Sequence, residues 1–323
     1  MHRRSLLRPL VAAALLAGAA GAFAQAWPAK PVTLVVPNPP GGLVDTSARL
    51  VSDPLGKVLG QPVVVDNRAG GSGNVAYGVV ARAPADGYTL LTAYSAYTVG
   101  NPSLTPKLPW AQKDFAPVAL VTVATNVIAV HPSVPANNLQ EFIAYLKKNP
   151  GRVTYASQGN GSVSHIGTEM FKAQTGTSMV HIPYKGSGDA VRDVLSGQVQ
   201  VFMTTPPSVM QHVQAGKLKA FAVTGKTRHP GLPNVPTTAE AGLKGFELES
   251  WVAIFAPAGT PPDVVQKLTT GIKQALETPE AKSRADAAGI EIRYLPPQPL
   301  DAMVKSETAF WAKTIKAQGI TAD

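Results

Sequence analysis

The amino-acid sequence predicts an α/β protein of two lobes, each a mainly parallel sheet flanked by helices, with strands that cross from one lobe to the other. Strand-like and helix-like stretches alternate through most of the 323-residue chain, and this alternation is typical of parallel βαβ units. A strand, a glycine turn and a helix start follow one another once in each half of the chain. The length is sufficient for two domains of ordinary size.

The N-terminus predicts export. Residues 1–4 and Arg8 form a basic region, the apolar run 10–22 is too short to span a bilayer, and Ala22 and Ala24 are the small residues of a cleavage site. We therefore predict a signal peptide over residues 1–24, with an uncleaved anchor as the alternative. The chain has no cysteine, so it has neither a lipid-linked N-terminal thiol nor a disulfide. We expect a periplasmic, soluble protein that is not lipid-anchored.

The composition argues against two classes of partner. The formal net charge is +9, but the chain contains no run of about five like charges and no aromatic residues interleaved with a basic stripe, so nucleic-acid binding is not expected. The uncharged stretch 115–140 is interrupted by prolines and rich in β-branched residues. It therefore predicts buried strands, and no membrane insertion is expected.

The lack of a long linker between the halves predicts that strands join the lobes. The stretches 115–130 and 219–224 are the natural crossing strands. They assign residues 25–125 and 227–323 to lobe 1 and residues 126–226 to lobe 2.

The two glycine turns carry the functional signal. The first turn, residues 38–45, follows the predicted strand 32–37, and the second, residues 158–165, follows the predicted strand 153–157. A helix that begins at such a turn has unpaired N–H groups at the positive end of its dipole, and these groups favour an anion. We therefore predict that the two turns close on one small anion.

A longer sequence pattern runs through almost all of the chain after residue 24. Its blocks are residues 31–49 (with Asn-Pro-Pro-Gly-Gly at 38–42), 60–70, 84–91, 155–162, 165, 183–186 (Pro-Tyr-Lys-Gly), 197–199, 232–242 and 256–261. In these blocks the chain resembles the Bug proteins, the periplasmic receptors of the tripartite tricarboxylate transporter (TctC) family. The resemblance implies a two-lobed, type II-like periplasmic-binding-protein fold with a hinge, and a solute-binding receptor, not an enzyme.

The resemblance also implies a ligand and a site. The ligand is a small mono-, di- or tricarboxylate, aliphatic or aromatic, held in the cleft largely by backbone groups and ordered water, with no cofactor. We expect a monomer that delivers this ligand to the membrane subunits of a tripartite transporter or to a sensor. Carried over by position, the ligand-binding residues are Pro40, Gly41, Gly42, Asp45, Ser95, Ala96 and Tyr97 in lobe 1, and Gly159, Gly161, Ser162, His165 and Thr204 in lobe 2.

Three residues of this chain differ from the usual family pattern or interrupt a predicted element. Asn38 stands where an aromatic residue is common, which predicts a more polar mouth of the site. Thr204 stands where an acidic residue is frequent, and its lack of charge favours a carboxylate without an amine. Pro54 predicts a kink in the first helix or its early end.

Several alternative interpretations of these residues compete with the receptor interpretation. Residues 71–76 imitate a dinucleotide fingerprint, but the preceding strand is too distant and no acid lies near the end of the next strand. The histidines show no i, i+4 pairing, so no metal site is predicted. An exported hydrolase that uses Ser162 and His165 is the runner-up, although the serine lacks the G-x-S-x-G elbow. Asp45 is either a helix N-cap or a ligand contact, and Tyr97 either stacks on the ligand or packs in the core.

Overall fold

A computed structural model describes residues 27–321 of the chain. The predicted signal peptide, residues 1–24, lies outside these described residues. The strands are β1 (Val32–Val36), β2 (Val63–Asn67), β3 (Thr89–Tyr94), β4 (Phe115–Thr125), β5 (Val127–Val130), β6 (Thr154–Ser157), β7 (Val180–Pro183), β8 (Val201–Thr204), β9 (Lys219–Val223), β10 (Glu249–Pro257) and β11 (Glu291–Leu295).

The helices alternate with these strands. They are α1 (Leu43–Leu59), α2 (Asn74–Ala81), α3 (Ser95–Val99), α4 (Asn101–Leu104), α5 (Leu139–Lys148), α6 (Val163–Thr175), α7 (Ser187–Leu195), α8 (Pro206–Gln214), α9 (Pro262–Glu277), α10 (Pro279–Ala288) and α11 (Pro297–Ala317), with a short 3-10 helix at Gln112–Asp114. Between residues 27 and 321, no helix is long and apolar enough to cross a membrane.

The strands form two sheets, one in each lobe. The first sheet has six strands in the order β11-β4-β10-β3-β1-β2, and the second has five strands in the order β7-β6-β8-β5-β9. This is the two-lobed α/β architecture that the sequence predicts.

The prediction that each sheet is mainly parallel is corrected, because both sheets are mixed. β1 runs parallel to β2 and β3, and β6 runs parallel to β7 and β8. β10 runs antiparallel to β3 and β4, and β5 runs antiparallel to β8 and β9. The cause is the connection between the lobes, since a strand that enters a lobe from the cleft must run against the strands that end there.

The two crossings between the lobes differ. Asn126 alone separates β4 from β5, so residues 115–130 form the first crossing as predicted. The second crossing is longer than predicted, because β9 stays within the second sheet and residues 224–248 lead from it to β10. The lobe boundaries at residues 126 and 226 stay a prediction.

Three residues tie the two crossings together. Asn126 N donates to Thr224 Oγ1 (2.8 Å), and Thr224 Oγ1 donates to Leu248 O (2.5 Å). In the backbone, Thr224 N donates to Asn126 O (2.9 Å) and Leu248 N donates to Thr224 O (3.2 Å). Asn126 and Thr224 are each only 1% exposed. These bonds therefore join the two segments that connect the lobes.

Two helices of lobe 1 bear on the positioning of the site. α1 continues through Pro54 to Leu59, so the predicted early end is wrong. Leu55 and Leu59 are buried beyond the proline, and burial of this last turn outweighs the missing hydrogen bond. α11 packs on the first sheet, where Trp251 Nε1 donates to a Glu307 carboxylate oxygen (2.7 Å).

Candidate functional site

Four helices begin where the two lobes face each other. α1, α6, α7 and α8 follow β1, β6, β7 and β8, and their N-cap residues are Gly42, Ser162, Gly186 and Thr205. Parallel strands of an open sheet end at one edge, and ligands of such sheets bind beyond that edge. The free N–H groups of the helix starts make this region favourable for an anion.

The lobes approach each other closely at the first turn. A Cβ atom at Gly42 would lie 2.9 Å from Ser187 Oγ in lobe 2. In the reverse direction, a Cβ atom at Gly186 would lie 2.5 Å from Pro39 Cδ in lobe 1. Real Cβ atoms do not sit so close to other heavy atoms, so glycine at both positions allows this approach.

Asp45 is held within the first turn. Its carboxylate accepts hydrogen bonds from Gly41 N (3.0 Å), Arg49 Nε (3.1 Å) and Asn67 Nδ2 (3.0 Å). The hydrogen bond to Asp45 also raises the pKa of Arg49. The N-cap of α1 is Gly42, so the interpretation of Asp45 as an N-cap is wrong. Its three protein donors give Asp45 the role of ordering the turn.

The second turn is fixed by its own backbone. Gly159 and Gly161 have φ angles of +113° and +76°, a region that favours glycine. Ser162 caps α6 by accepting from His165 N (3.3 Å), and Gly161 N donates to His165 Nδ1 (3.1 Å). A Cβ atom at Gly161 would lie 2.7 Å from Asn101 Oδ1 of lobe 1, so this turn also meets the opposite lobe.

The geometry of the second turn does not favour hydrolase chemistry. Ser162 is 0% exposed, and its Oγ is the helix cap. His165 Nδ1 accepts from a backbone amide, and its ring stacks on the ring of His181 with centroids 4.3 Å apart. Serine and histidine thus have structural roles, whereas an activated nucleophile needs its oxygen within hydrogen-bond reach of a basic side chain, and Ser162 Oγ instead accepts from the backbone N–H of His165. Within residues 27–321, no group of three or more His, Asp or Glu residues is arranged to hold a metal ion.

A buried hydrogen-bond network crosses from lobe 1 to lobe 2. Asn38 Nδ2 donates to the Tyr97 hydroxyl (3.4 Å), and this hydroxyl donates to Gln158 O (3.2 Å). Gln158 Nε2 then donates to Ser187 Oγ (2.7 Å) and to Thr204 Oγ1 (3.3 Å). Burial raises the pKa of Tyr97 to about 12, so its hydroxyl is a neutral donor at any physiological pH.

The short helix α3 contains three of the predicted site residues, and only one of them reaches lobe 2. Ser95 Oγ accepts from Trp251 N (3.3 Å) inside lobe 1, and Ala96 is buried. Tyr97 packs edge-on against Tyr94, with ring centroids 5.2 Å apart. The Tyr97 ring therefore belongs to the core of lobe 1, and its hydroxyl makes the contact with lobe 2.

Three buried side-chain oxygen atoms, one within this network and two in the residues that follow Thr204, have no hydrogen-bond partner in the described part of the chain. They are Asn38 Oδ1, Thr205 Oγ1 and Ser208 Oγ. Asn38 precedes the first turn, while Thr205 and Ser208 lie at the start of α8. A buried polar atom without a partner costs free energy, so bound water or another molecule is expected to complete the bonding of these atoms.

A cavity of about 290 Å³ adjoins the network between the lobes. We call it the glycine chamber. It is lined from lobe 1 by Pro37, the run 70–73 and Tyr97, and from lobe 2 by residues 158–160 and 183–185. Every residue of the run 70–73 has a positive φ angle, including Ser72 at +52°. Lys185 is exposed at the edge of the chamber.

The predicted site residues fall into two groups. In the first group, Tyr97 and Thr204 belong to the network, Gly159 lines the chamber, and Gly42 and Gly161 lie against residues of the opposite lobe. Pro40 and Gly41 are exposed at the edge of the first turn, while Asp45, Ser95, Ala96, Ser162 and His165 are buried among residues of their own lobe.

Sequence reasoning missed several residues of this region. They are residues 70–73, Gln158, Ser187, Thr205 and Lys185. Residues 71–73 begin the stretch that imitates a dinucleotide fingerprint, and that interpretation gave them no role, although the density of glycine in residues 70–73 signals a special backbone. Ser187 and Thr205 carry a weaker signal, which is that each stands at a helix start shortly after a strand.

Residues 47–320 match the model of a family described as the tripartite tricarboxylate transporter family receptor, TctC. The chain belongs to this family. Three solved structures resemble it over nearly their whole length. The periplasmic binding protein BugD is 35% identical, with a TM-score of 0.87 over 91% of this chain and 99% of that chain. A protein of R. palustris solved with adipate is 35% identical, with a TM-score of 0.88 over 91% and 99% of the two chains. MatC from Rhodopseudomonas palustris, solved with bound malate, is 32% identical, with a TM-score of 0.83 over 90% and 100%.

Membership of the TctC family confirms three predictions made from the sequence, namely the family, the two-lobed fold and the class of protein. The family and its solved members are periplasmic solute-binding receptors, and this TctC-family receptor is therefore a binding protein and not an enzyme. The hydrolase alternative is dropped.

Proposed function

We propose that this TctC-family receptor captures a small organic carboxylate between its lobes and delivers it to the membrane subunits of a tripartite transporter or to a sensor. The observation that carries this proposal is the buried network between the lobes, together with the unpartnered oxygens of Asn38 within it and of Thr205 and Ser208 shortly after Thr204. A polar ligand between the lobes would supply those partners.

A carboxylate suits this region for electrostatic reasons. The starts of four helices face the interface, and their N–H groups stabilise negative charge without a buried cation. The hydroxyl groups of Thr205 and Ser208 are further donors for carboxylate oxygens. Lys185 adds a positive charge at the edge of the glycine chamber. Two similar proteins were solved with the carboxylates adipate and malate, which supports the same ligand class here.

Ligand capture and closure of the lobes are coupled in this proposal. The Tyr97–Gln158 hydrogen bond and the approach of Gly42 to Ser187 exist only while the lobes are together. Rotation about Asn126 and Thr224 would separate them and admit water and ligand. A ligand that binds both lobes then stabilises the closed form by its differential affinity for that form.

The assignment of ligand contacts is part of the proposal. We assign direct contacts to Asn38, Gly42, Tyr97, Gln158, Gly159, Gly161, Ser187, Thr204, Thr205 and Ser208. We assign the ordering of the two turns to Pro40, Gly41, Asp45, Ser95, Ala96, Ser162 and His165.

Cleavage of the signal peptide after Ala24, the lobe boundaries and the monomeric state remain predictions. Intact mass of the exported protein and its size in solution test the first and the last.

The proposal is tested by binding measurements on the whole mature chain. Mono-, di- and tricarboxylates, neutral sugars and cationic amines are compared by calorimetry and thermal melting. A carboxylate at about one hundred times its dissociation constant should stabilise the protein by roughly 2.7 kcal/mol and be recovered unchanged. Stabilisation by sugars or amines alone would overturn the carboxylate assignment. Mass spectrometry of ligand that co-purifies with the gently isolated protein would identify the natural ligand.

A further inference from the structure

Asn38 is the least satisfied side chain of the cross-lobe network. It is 6% exposed, and its Nδ2 donates to the Tyr97 hydroxyl (3.4 Å). Its backbone oxygen is also engaged, because Asn67 Nδ2 donates to Asn38 O (2.9 Å). Only Asn38 Oδ1 in this side chain lacks a partner among the described residues. The amide is thus held in place, with one acceptor left over.

An unpaired buried acceptor is stabilised by any donor that reaches it, from bound water or from a ligand. A carboxylate at neutral pH has acceptor oxygens only, so it cannot satisfy Asn38 Oδ1. A hydroxyl or an ammonium group on the ligand can donate to this oxygen. A ligand with such a donor near its carboxylate therefore gains a hydrogen bond that the unsubstituted acid leaves unmade.

The charges around Asn38 favour a hydroxyl over an ammonium group. Asp45 is the acidic group next to Asn38, because Asn67 Nδ2 donates both to Asn38 O and to Asp45 Oδ1. The Asp45 carboxylate is already paired with Arg49 and bonded to Gly41 N. A buried ammonium group needs an opposite charge, whereas a hydroxyl needs only hydrogen bonds. Thr204, which bonds Gln158 in the same network, is also uncharged.

We propose that Asn38 is a specificity-determining residue that selects carboxylates carrying a hydroxyl group, with the ligand hydroxyl donating to Asn38 Oδ1. This inference rests on the proposed function, since it refines the ligand class of the same site. The hydroxyl groups of Thr205 and Ser208 donate to the carboxylate end of the ligand. Asn38 then accepts a hydrogen bond from the ligand hydroxyl, and the protein distinguishes acids that differ only by this hydroxyl.

Pairs of acids that differ by one hydroxyl group test the proposal directly. The pairs are malate and succinate, lactate and propionate, and 3-hydroxybutyrate and butyrate, with both enantiomers of each hydroxy acid. Calorimetry on the wild-type chain should find at least one hydroxy acid that binds about tenfold tighter than its deoxy partner, because a buried acceptor is paired only in that complex. The ratio of the two dissociation constants is the readout, and it needs no variant.

The variant Asn38→Leu tests whether the ratio of the two dissociation constants depends on the Asn38 side chain. It keeps the size of the side chain and removes the acceptor, so the preference should fall to within about twofold. Asn234→Leu, an exposed position in the connection between β9 and β10, is the matched control and should keep the wild-type ratio. Equal binding of both members of every pair by the wild type would overturn the role of Asn38 and leave carboxylate capture standing. Binding of none of these acids or of adipate would overturn both proposals.

Discussion

The two glycine turns look alike in sequence, but the structure constrains them differently. At Gly42 the φ angle is −98°, an ordinary value, and the crowding comes from Ser187 of the opposite lobe. At Gly161 the φ angle is +76°, and the crowding comes from Asn101 of the opposite lobe. Glycine at position 42 is therefore required only by closure, whereas glycine at position 161 is required by closure and by its own backbone.

The turns also differ in how they are held. The first turn has no side-chain cap at Gly42 and depends on the ion pair between Asp45 and Arg49. The second turn is held by hydrogen bonds alone, with Ser162 as the cap of α6 and Nδ1 of His165 as an acceptor. Substitution of Gly42 should thus report on closure, and substitution of Gly161 should report on closure and stability together.

The largest effect is expected for Gly161→Ala. A left-handed φ angle costs a residue with a Cβ atom about 1–2 kcal/mol, so the free energy of unfolding should fall by that amount. The new Cβ would also lie 2.7 Å from Asn101 Oδ1, so carboxylate affinity should fall by about tenfold or more. Chemical denaturation and calorimetry measure the two quantities.

Gly176→Ala is the matched control for this variant. Gly176 has a similar φ angle of +62° at the other end of α6, and a Cβ there meets no atom within 4 Å. The control should lose stability and keep its affinity. If Gly161→Ala binds carboxylates as tightly as the control does, the second turn takes no part in closure.

The second effect in size is a loss of affinity in Gly42→Ala without a loss of stability. The added Cβ would push aside Ser187 Oγ and break its hydrogen bond with Gln158, so affinity should fall about three- to tenfold. Gly188→Ala, one residue beyond Ser187 with no atom within 4 Å of a Cβ, should bind like the wild type.

A mutant cycle sharpens this second test. Ser187→Ala removes the oxygen that the Cβ at position 42 would meet, and the Ser187 Cβ is 3.7 Å away, an ordinary contact. The double variant should therefore lose no more affinity than Ser187→Ala alone. Additive losses would mean that Gly42 acts through something other than this contact.

The sequence predicted the turns but not the contrast between them. Alternation of strands and helices is a local pattern, so the two lobes, the first crossing at Asn126 and both helix starts were accessible. The direction of β5 and β10 depends on which lobe the chain enters, and no local pattern contains that information. The φ angles of Gly42 and Gly161 depend on how each loop leaves its strand, which is likewise a tertiary property.

Only part of the candidate site could be predicted from the sequence, for the same reason. Tyr97 and Thr204 lie at or just after the ends of β3 and β8 and were found. The partner that joins them, Gln158, lies in the predicted second turn, but its position gave no sign that its side chain reaches Ser187 and Thr204. Residues 70–73 line the glycine chamber only because lobe 2 packs against them. Contacts that form between lobes leave a weak trace in a single sequence, because each partner meets its neighbour only after docking.

The third effect separates a cap from a ligand contact at Ser162. As the N-cap of α6, Ser162→Ala should cost about 1 kcal/mol of stability and leave carboxylate affinity unchanged. Asn138→Ala is the matched control, because Asn138 caps α5 through the same kind of bond, to Glu141 N. Similar losses of stability in both variants, measured by denaturation, would confirm the capping role. A loss of affinity in Ser162→Ala alone would make its hydroxyl a ligand contact.

The smallest effect is expected for Lys185→Gln. This variant tests whether lobe 2 contributes a positive charge to ligand binding, a contribution that the first turn of lobe 1 does not make. Lys185 is exposed at the edge of the glycine chamber, so water screens its attraction for a carboxylate. Affinity for a dicarboxylate should fall only about two- to fivefold at low salt, in the range of exposed ion pairs. At about 0.5 M salt the difference should disappear, because the Debye length is then only a few ångström. Lys217→Gln, an exposed lysine beyond the far end of α8, should show no difference at either salt concentration. A loss that persists at high salt would mean that Lys185 bonds the ligand directly within the closed cleft, and the charge of lobe 2 would then belong to the site itself.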